Sequence, residues 1–174
     1  MTSKKRCIGI AIVVLTAAII NSLWIIHPRG SKQFSSDWYP GGEFQGKEGV
    51  LFQTSYNDCG PAALRMIFDH YKISSTCDEI ERSIRLSGSG ATMFSLKQMA
   101  ELKGLHAEGW RLTVQDLLNT SFPLLLFVHN DHFVVADSIS DQMVFLRDPA
   151  VGRVNMPAAN LPQMWQGEAL VFAQ

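Results

Sequence analysis

The sequence predicts an α+β domain, with helices in the first half of residues 50–174 and an antiparallel sheet in the second half. Before about residue 104, apolar residues recur at the spacing of a helix with one buried face. After it, short runs rich in Val and Phe are bounded by turn residues, which is typical of strands. The chain has 174 residues, which is about the length of one domain with a short N-terminal extension.

Three helices are predicted from their start signals. Proline suits the first helical turn, so the first helix begins around Pro61. A second helix begins near Thr76, where Glu79 completes a capping-box pattern. The same pattern at Ser95 predicts a third helix, which ends at Gly104 because glycine is typical after a helix C-terminus. The buried face of the first helix carries four apolar side chains: Leu64, Ile67, Phe68 and Tyr71.

Three strands are predicted in the second half of the domain. They cover residues 123–128, 132–139 and 143–146. The last two are separated only by the polar segment 140–142. Two apolar runs joined by a short polar turn indicate an antiparallel hairpin.

The N-terminal region predicts a membrane anchor at residues 1–26. Residues 7–26 are apolar, which is close to the ~20 residues that a membrane-spanning helix needs. Three basic residues precede this stretch, so the N-terminus is expected on the cytoplasmic side and the domain outside. A cleaved signal peptide shares the basic start and is the alternative. Residues 27–49, interrupted by Pro and Gly, are predicted to be a linker to the folded domain at 50–174.

Charge and cysteine content exclude several functions. The formal net charge is −1 and no basic stripe is present, so nucleic acid is not expected as a partner. Three cysteines do not make a disulfide scaffold, and no CxxC pair indicates zinc. No metal or organic cofactor is expected.

Cys59 lies where a loop meets the start of the first predicted helix. Free N–H groups and the positive end of the helix dipole gather at such a position and favour the reactive thiolate. Gly60 has no side chain and would let a substrate backbone approach. Asp58 is a candidate for capping the helix. The sequence therefore predicts Cys59 as a nucleophile.

A cysteine nucleophile needs a base, and His132 is the best candidate for it. It opens an apolar strand at a loop–strand junction, although a histidine there can also simply cap the strand. His106 and His129 remain possible. His70 lies three turns along the same helix as Cys59 and cannot return to the helix start.

Asp148 is the candidate that would orient the base. In a hairpin centred near Ser140, it lies almost opposite His132, so the two side chains can meet across the strands. A carboxylate there would hold the tautomer and orientation of the imidazole. The alternative is an ordinary turn residue before Pro149.

Two further polar side chains are weighed for the site. Gln53, six residues before Cys59, has an amide that can help to stabilise an oxyanion, although most glutamines are simply exposed. Cys77 is predicted to be a small, half-buried residue and not a second nucleophile.

Taken together, these residues resemble the C39 family of cysteine peptidases, the bacteriocin-processing type with a papain-like fold. The resemblance spans about residues 50–172 and includes the segment 90–100. It is carried by four shorter motifs: Gln53-x5-Cys59-Gly60, His132-Phe133-Val134-Val135, Asp148-Pro149-Ala150-x-Gly152 and Trp165-x-Gly167. It implies Cys59 as nucleophile, His132 as general base and acid, Asp148 as orienting residue and Gln53 as oxyanion-hole residue.

The resemblance also implies a substrate and a location. Similar peptidases cut a leader peptide after a double-glycine motif, usually while fused to an ABC exporter. This sequence has no GxxxxGK[ST] loop and no set of six spans, so a separate export system is the expected partner. We therefore expect an endopeptidase that is anchored in the bacterial inner membrane and has a periplasmic domain. If the N-terminus is cleaved, the enzyme is expected to be secreted. The alternatives are a non-catalytic peptide-binding module, and a cell-wall amidase or transglutaminase-like enzyme.

Overall fold

The computed structural model describes residue 35 and residues 37–173. They form a seven-stranded antiparallel sheet with helices packed against it, so the predicted α+β class is confirmed. The helices are α1 (Cys59–His70), α2 (Cys77–Ile84), α3 (Met93–Leu102) and α4 (Val114–Leu117), with a 3-10 helix at Ala158–Gln163. The strands are β1 (Glu43–Gly46), β2 (His106–Arg111), β3 (Leu124–Val128), β4 (His132–Ser140), β5 (Met143–Asp148), β6 (Gly152–Pro157) and β7 (Trp165–Ala173).

The predicted anchor at residues 1–26 lies outside the described residues. Within residues 35 and 37–173, no helix has both the length and the apolar character needed to cross a bilayer. The predicted linker at 27–49 is described from residue 37 onwards, with residue 35. There the structure places β1 and the buried side chain of Tyr39, so part of this segment is packed on the domain.

The strands lie in the order β1-β6-β5-β4-β3-β7-β2, and every neighbouring pair is antiparallel. Successive hairpins connect β3 to β6. Because the strands are antiparallel, β4 begins at the end of the sheet where β5 finishes. This topology brings the first residue of β4 close to the last residue of β5.

The helix starts follow local capping. Thr76 is the N-cap of α2 and accepts a hydrogen bond from the Glu79 backbone N–H, as the sequence predicts. The Glu79 side chain does not complete the predicted capping box, because it accepts from the Ser75 hydroxyl and from Lys103. The start of α3 differs from the prediction by three residues, because Thr92 is the N-cap. Ser95 is the third residue of that helix and completes the capping box from inside it, since its hydroxyl accepts from the Thr92 N–H.

The β4–β5 hairpin is also shifted from its predicted centre at Ser140. Asp141 and Gln142 both have positive φ, at 48° and 62°, and form the two-residue turn. An irregularity in the pairing then follows between Ala136 and Ser138. The residues that pair between β4 and β5 therefore differ from the pairs obtained by counting outward from Ser140.

The two faces of the sheet bury two separate apolar clusters. Alternation along β4 sends Phe133 and Val135 to one face and Val134 to the other. The helical face packs against α1, α2 and α3. The opposite face is covered by Tyr39, Leu117 of α4 and residues around the 3-10 helix. Both clusters therefore help to fix β4, the strand that begins with His132.

Candidate active site

His132 and Asp148 meet at the end of the sheet where β4 begins and β5 finishes. The His132 Nε2 donates to the Asp148 Oδ1 over 2.7 Å, and the side chains are 3% and 0% exposed. Val135 pairs with Arg147, so the two side chains meet diagonally and not directly across the strands. The prediction that they are in contact is thus confirmed, and the diagonal offset arises because the turn is centred between Asp141 and Gln142 and the pairing shifts between Ala136 and Ser138.

Cys59 begins α1 and is buried beside the imidazole. Its side chain lies close enough to the His132 ring to raise the pKa of the imidazole. Since Nε2 is engaged with Asp148, Nδ1 is the ring nitrogen that remains for the sulfur. The fold therefore brings Cys59, His132 and Asp148 together in one row, in which His132 is hydrogen-bonded to Asp148.

Gly60 is required by packing against the neighbouring helix and strand. A Cβ atom there would lie 2.8 Å from the Ala91 Cβ and 3.3 Å from Phe133 Cδ2. The residue is buried, so it does not provide the open approach to substrate that the sequence suggests. Its role is to let the start of α1 lie close to α3 and β4.

The loop before Cys59 is held by Asp58. Its carboxylate accepts from the Thr54 N–H at 2.9 Å, the Thr54 hydroxyl at 2.8 Å and the Ser55 N–H at 3.1 Å. Asp58 is the N-cap residue of α1, but its side chain makes no capping hydrogen bond. The suggestion that it caps the helix is therefore wrong, because the carboxylate is used to fold the loop that delivers Cys59.

Gln53 lies in the same loop and is 2% exposed. Its backbone N–H donates to the Pro149 carbonyl, and its Nε2 donates to the Ser55 carbonyl, both over 2.9 Å. The first bond connects the loop before Cys59 to the turn after Asp148. Gln53 therefore lies between the two segments that carry the nucleophile and the carboxylate.

Asp148 accepts hydrogen bonds from three directions. Besides His132, the Ala150 N–H donates to Oδ1 over 2.6 Å and the Tyr39 hydroxyl donates to Oδ2 over 2.5 Å. Burial alone would raise the pKa of Asp148, but the hydrogen bond and positive charge of His132, with the other donors, lower it. The carboxylate is therefore ionised. Sequence reasoning missed Tyr39, although an adjacent pair of aromatic residues, Trp38-Tyr39, stands out in a segment predicted to be linker.

His132 is held in its charged form. Burial alone would lower the pKa of its imidazole, but the hydrogen bond and charge of Asp148, together with the nearby Cys59 side chain, raise it to about 9. At neutral pH the ring is therefore an imidazolium. The His132 ring, which lies between the sulfur and the carboxylate, therefore carries a proton on each of its two nitrogens.

This shift predicts how stability depends on pH. The folded-state pKa of about 9 lies above the ordinary value of 6.5, so the contribution of His132 is complete below pH 6.5 and is lost as pH rises through 9. The loss is on the order of 3 kcal/mol in the free energy of unfolding. Urea titrations between pH 6 and 9.5 measure it, and His132→Gln is expected to flatten the dependence. The exposed His106→Gln is the control, and an equal slope in all three proteins would contradict the assignment.

The remaining histidines lie elsewhere. His106 is exposed and pairs with Glu108. His129 donates from Nε2 to the Trp38 carbonyl over 3.0 Å and stacks on the Trp38 ring. His70 is exposed at the end of α1. None of these three joins the row formed by Cys59, His132 and Asp148.

Cys77 is a free, half-buried thiol at the first position of α2. Burial, followed by the nearby carboxylates of Glu81 and Asp58, raises the pKa of Cys77 to about 11. The thiol is therefore protonated at neutral pH, which agrees with the prediction that it is not a second nucleophile.

Residues 47–174 match the sequence profile of the Peptidase C39 family. The chain belongs to this family. The C39 domain begins at residue 47 in this comparison, so β1 and Tyr39 lie before the matched region.

Several proteins and solved structures resemble this chain over about 70% of its length or slightly more. An uncharacterised protein of Methanothermobacter marburgensis is 30% identical over 128 residues, which are 74% of this chain and 90% of that protein. The probable microcin-H47 secretion/processing ATP-binding protein of Escherichia coli is 30% identical over 121 residues, 70% of this chain and 17% of that protein. A solved double glycine motif protease from an AMS/PCAT transporter, in complex with the leader peptide, is 27% identical, with a TM-score of 0.68 over 71% of this chain and 89% of that one.

Proposed function

We propose that this C39 domain is a cysteine endopeptidase that cleaves a leader or other segment of an exported peptide. The observation that carries the proposal is the buried row of Cys59, His132 and Asp148 at the start of α1. A thiol at a helix N-terminus, beside an imidazolium that a carboxylate orients, is the arrangement that nucleophilic catalysis requires.

In the first step, the Cys59 sulfur attacks the scissile carbonyl carbon, forming a C–S bond and moving an electron pair to the carbonyl oxygen. Gln53 supports this oxyanion together with the backbone N–H of Cys59. The Gln53 amide nitrogen has two hydrogens, and the Ser55 carbonyl uses one of them. When the C–N bond breaks, the His132 imidazolium gives its proton to the leaving amine.

In the second step, water hydrolyses the thioester. The neutral His132 now takes a proton from the water that attacks the acyl carbon, and the C–S bond breaks. The products are a carboxylic acid and the restored thiolate–imidazolium pair. Asp148 remains ionised throughout, because its function is to hold the ring and stabilise its charge.

The substrate class is inferred from the relatives. One solved relative is a double glycine motif protease bound to a leader peptide, and one curated relative is a microcin secretion/processing protein. We infer that this chain acts on a peptide with a small-residue cleavage site and cooperates with a separate export system. Anchoring by residues 7–26 would place the domain outside the inner membrane, and a C-terminal alkaline phosphatase fusion that is inactive in intact cells would overturn this location.

The proposal is tested with the full-length chain in detergent and a panel of peptides that differ at the cleavage site. We expect cleavage after Gly-Gly or Gly-Ala, and slower or no cleavage when either residue is replaced with Val. Mass spectrometry locates the cut and detects the acyl-enzyme. Peptidoglycan fragments and amine acceptors are included as controls for amidase and transglutaminase activity.

Each alternative predicts a different result in the same experiment. Binding of the peptides without hydrolysis would support the non-catalytic module. Release of cell-wall fragments, or incorporation of the amine, would support the other two enzyme classes. Either outcome would contradict the proposed endopeptidase.

A further inference from the structure

The segment at residues 37–46, which we call the N-terminal strap, lies before the part of the chain that matches the family. It is fixed on the domain at several points. Its strand β1 pairs with β6, and the Asn160 Nδ2 donates to the Pro40 carbonyl over 3.1 Å. Gly152 has φ of +130°, and a Cβ atom there would lie 2.6 Å from the Gly46 carbonyl oxygen. The strap is therefore packed closely against the turn that follows Asp148.

Tyr39 connects this strap to the active site. Its side chain is fully buried, and its hydroxyl donates to the Asp148 Oδ2 over 2.5 Å. The other carboxylate oxygen, Oδ1, accepts from His132 and from the Ala150 N–H. Donors therefore engage both oxygens, and the carboxylate cannot rotate without breaking a buried hydrogen bond.

The phenol is a donor across the working pH range. Burial, the charge of Asp148 and the hydrogen bond to it all raise the pKa of Tyr39 well above its ordinary value. A neutral phenol beside an ionised carboxylate can donate but adds no charge. Tyr39 therefore stabilises the anion without competing with His132.

A second contact places the strap beside the imidazole. The Trp38 ring stacks on His129, with centroids 3.9 Å apart, and meets the His132 ring edge-on at 6.3 Å. The Trp38 carbonyl accepts from the His129 Nε2. Consecutive residues of the strap thus contact both the carboxylate and the ring that the carboxylate orients.

We propose that Tyr39 is a positioning residue of the active site, whose hydroxyl fixes the Asp148 carboxylate so that Oδ1 faces the His132 Nε2. The inference rests on the proposed function. It makes the N-terminal strap a part of the catalytic unit, although the strap precedes the matched region. A chain that starts at residue 47 would retain the nucleophile, base and carboxylate but lack this donor.

The test compares Tyr39→Phe with Tyr71→Phe. The control also removes one hydroxyl, which donates to the Phe172 carbonyl over 3.2 Å on the helical side of the sheet. For Tyr39→Phe we expect kcat to fall about tenfold with KM within about twofold, since a hydrogen bond to a charged group is lost. For Tyr71→Phe both constants are expected within about twofold of the wild type.

A second measurement does not depend on peptide hydrolysis. Alkylation of Cys59 by iodoacetamide, followed by mass spectrometry across pH, reports formation of the thiolate–imidazolium pair. In Tyr39→Phe the pH of half-maximal alkylation is expected to rise by about one unit, because a less firmly held Asp148 stabilises the pair less. A profile that superimposes on those of wild type and Tyr71→Phe would overturn the inference.

The two proposals fail in different ways. Absence of hydrolysis by the wild type would overturn the proposed function, while the alkylation profiles would still decide the role of Tyr39. If Tyr39→Phe does not fold, 3-fluorotyrosine at position 39 replaces it, since this residue keeps the ring and donates more strongly. The half-maximal pH is then expected to fall, and an unchanged value would overturn the inference.

Discussion

Replacing Cys59 with alanine is expected to abolish peptide hydrolysis and leave the fold intact. Removal of a nucleophile that forms the covalent intermediate reduces kcat by about five orders of magnitude or more in comparable enzymes. The substitution removes only a sulfur from a buried position at the start of α1, so the secondary structure is expected to remain. Initial rates with a cleaved peptide from the panel, together with circular dichroism, measure both effects.

Cys77→Ala is the matched control for this prediction. It removes the same atom from the first position of another helix, where the thiol is half-buried and protonated. We expect its kcat to stay within about twofold of the wild type. Comparable loss in both variants, or continued hydrolysis by Cys59→Ala, would exclude Cys59 as the nucleophile.

Replacing Asp148 with alanine is expected to cost both activity and stability. The change leaves a buried His132 imidazolium without its counterion and removes the acceptor for Tyr39 and Ala150. Removing one partner of a buried ion pair costs about 3–5 kcal/mol in the free energy of unfolding. Loss of the group that orients a catalytic histidine reduces kcat by about 10⁴-fold. Urea unfolding and steady-state kinetics give the two values.

Asp148→Asn separates the charge of the carboxylate from its hydrogen bonding. The amide keeps the geometry but not the charge, and this change alone lowers kcat by about 10⁴-fold in a comparable triad, so the loss of activity is expected to be similar to that with alanine. Because the negative charge is gone, the pKa of His132 falls and the alkaline limb of kcat/KM moves below its wild-type position near pH 9. If the alkaline limb of kcat/KM does not move in Asp148→Asn, then Asp148 does not determine the charge of the His132 ring.

Local signals were sufficient to predict the elements that carry the row of Cys59, His132 and Asp148. A proline in the first turn and a helical apolar period identified α1, and apolar runs identified β3, β4 and β5. The other four strands were not predicted. In β2, for example, only Ala107 is buried, so this edge strand has no apolar alternation to detect.

Contacts between distant segments could not be predicted from local patterns. The diagonal contact of His132 and Asp148 depends on a turn at Asp141 and Gln142 and on an irregularity in β4. Tyr39 was assigned to a linker because the segment around it, interrupted by Pro40, Gly41 and Gly42, has neither helical nor strand periodicity. Its burial follows from the face of the sheet that it covers, which is a property of the tertiary structure.

The bond between Tyr39 and Asp148 joins positions 109 residues apart in the chain. Closing so long a loop is slow and unfavourable until the sheet between the two positions exists. During synthesis or translocation, a growing chain that ends before β5 contains the thiol and the imidazole but not the carboxylate. Cys59, His132 and Asp148 are thus in place together only after most of the polypeptide has been synthesised and folded. The protein is therefore expected to become active only late in its folding.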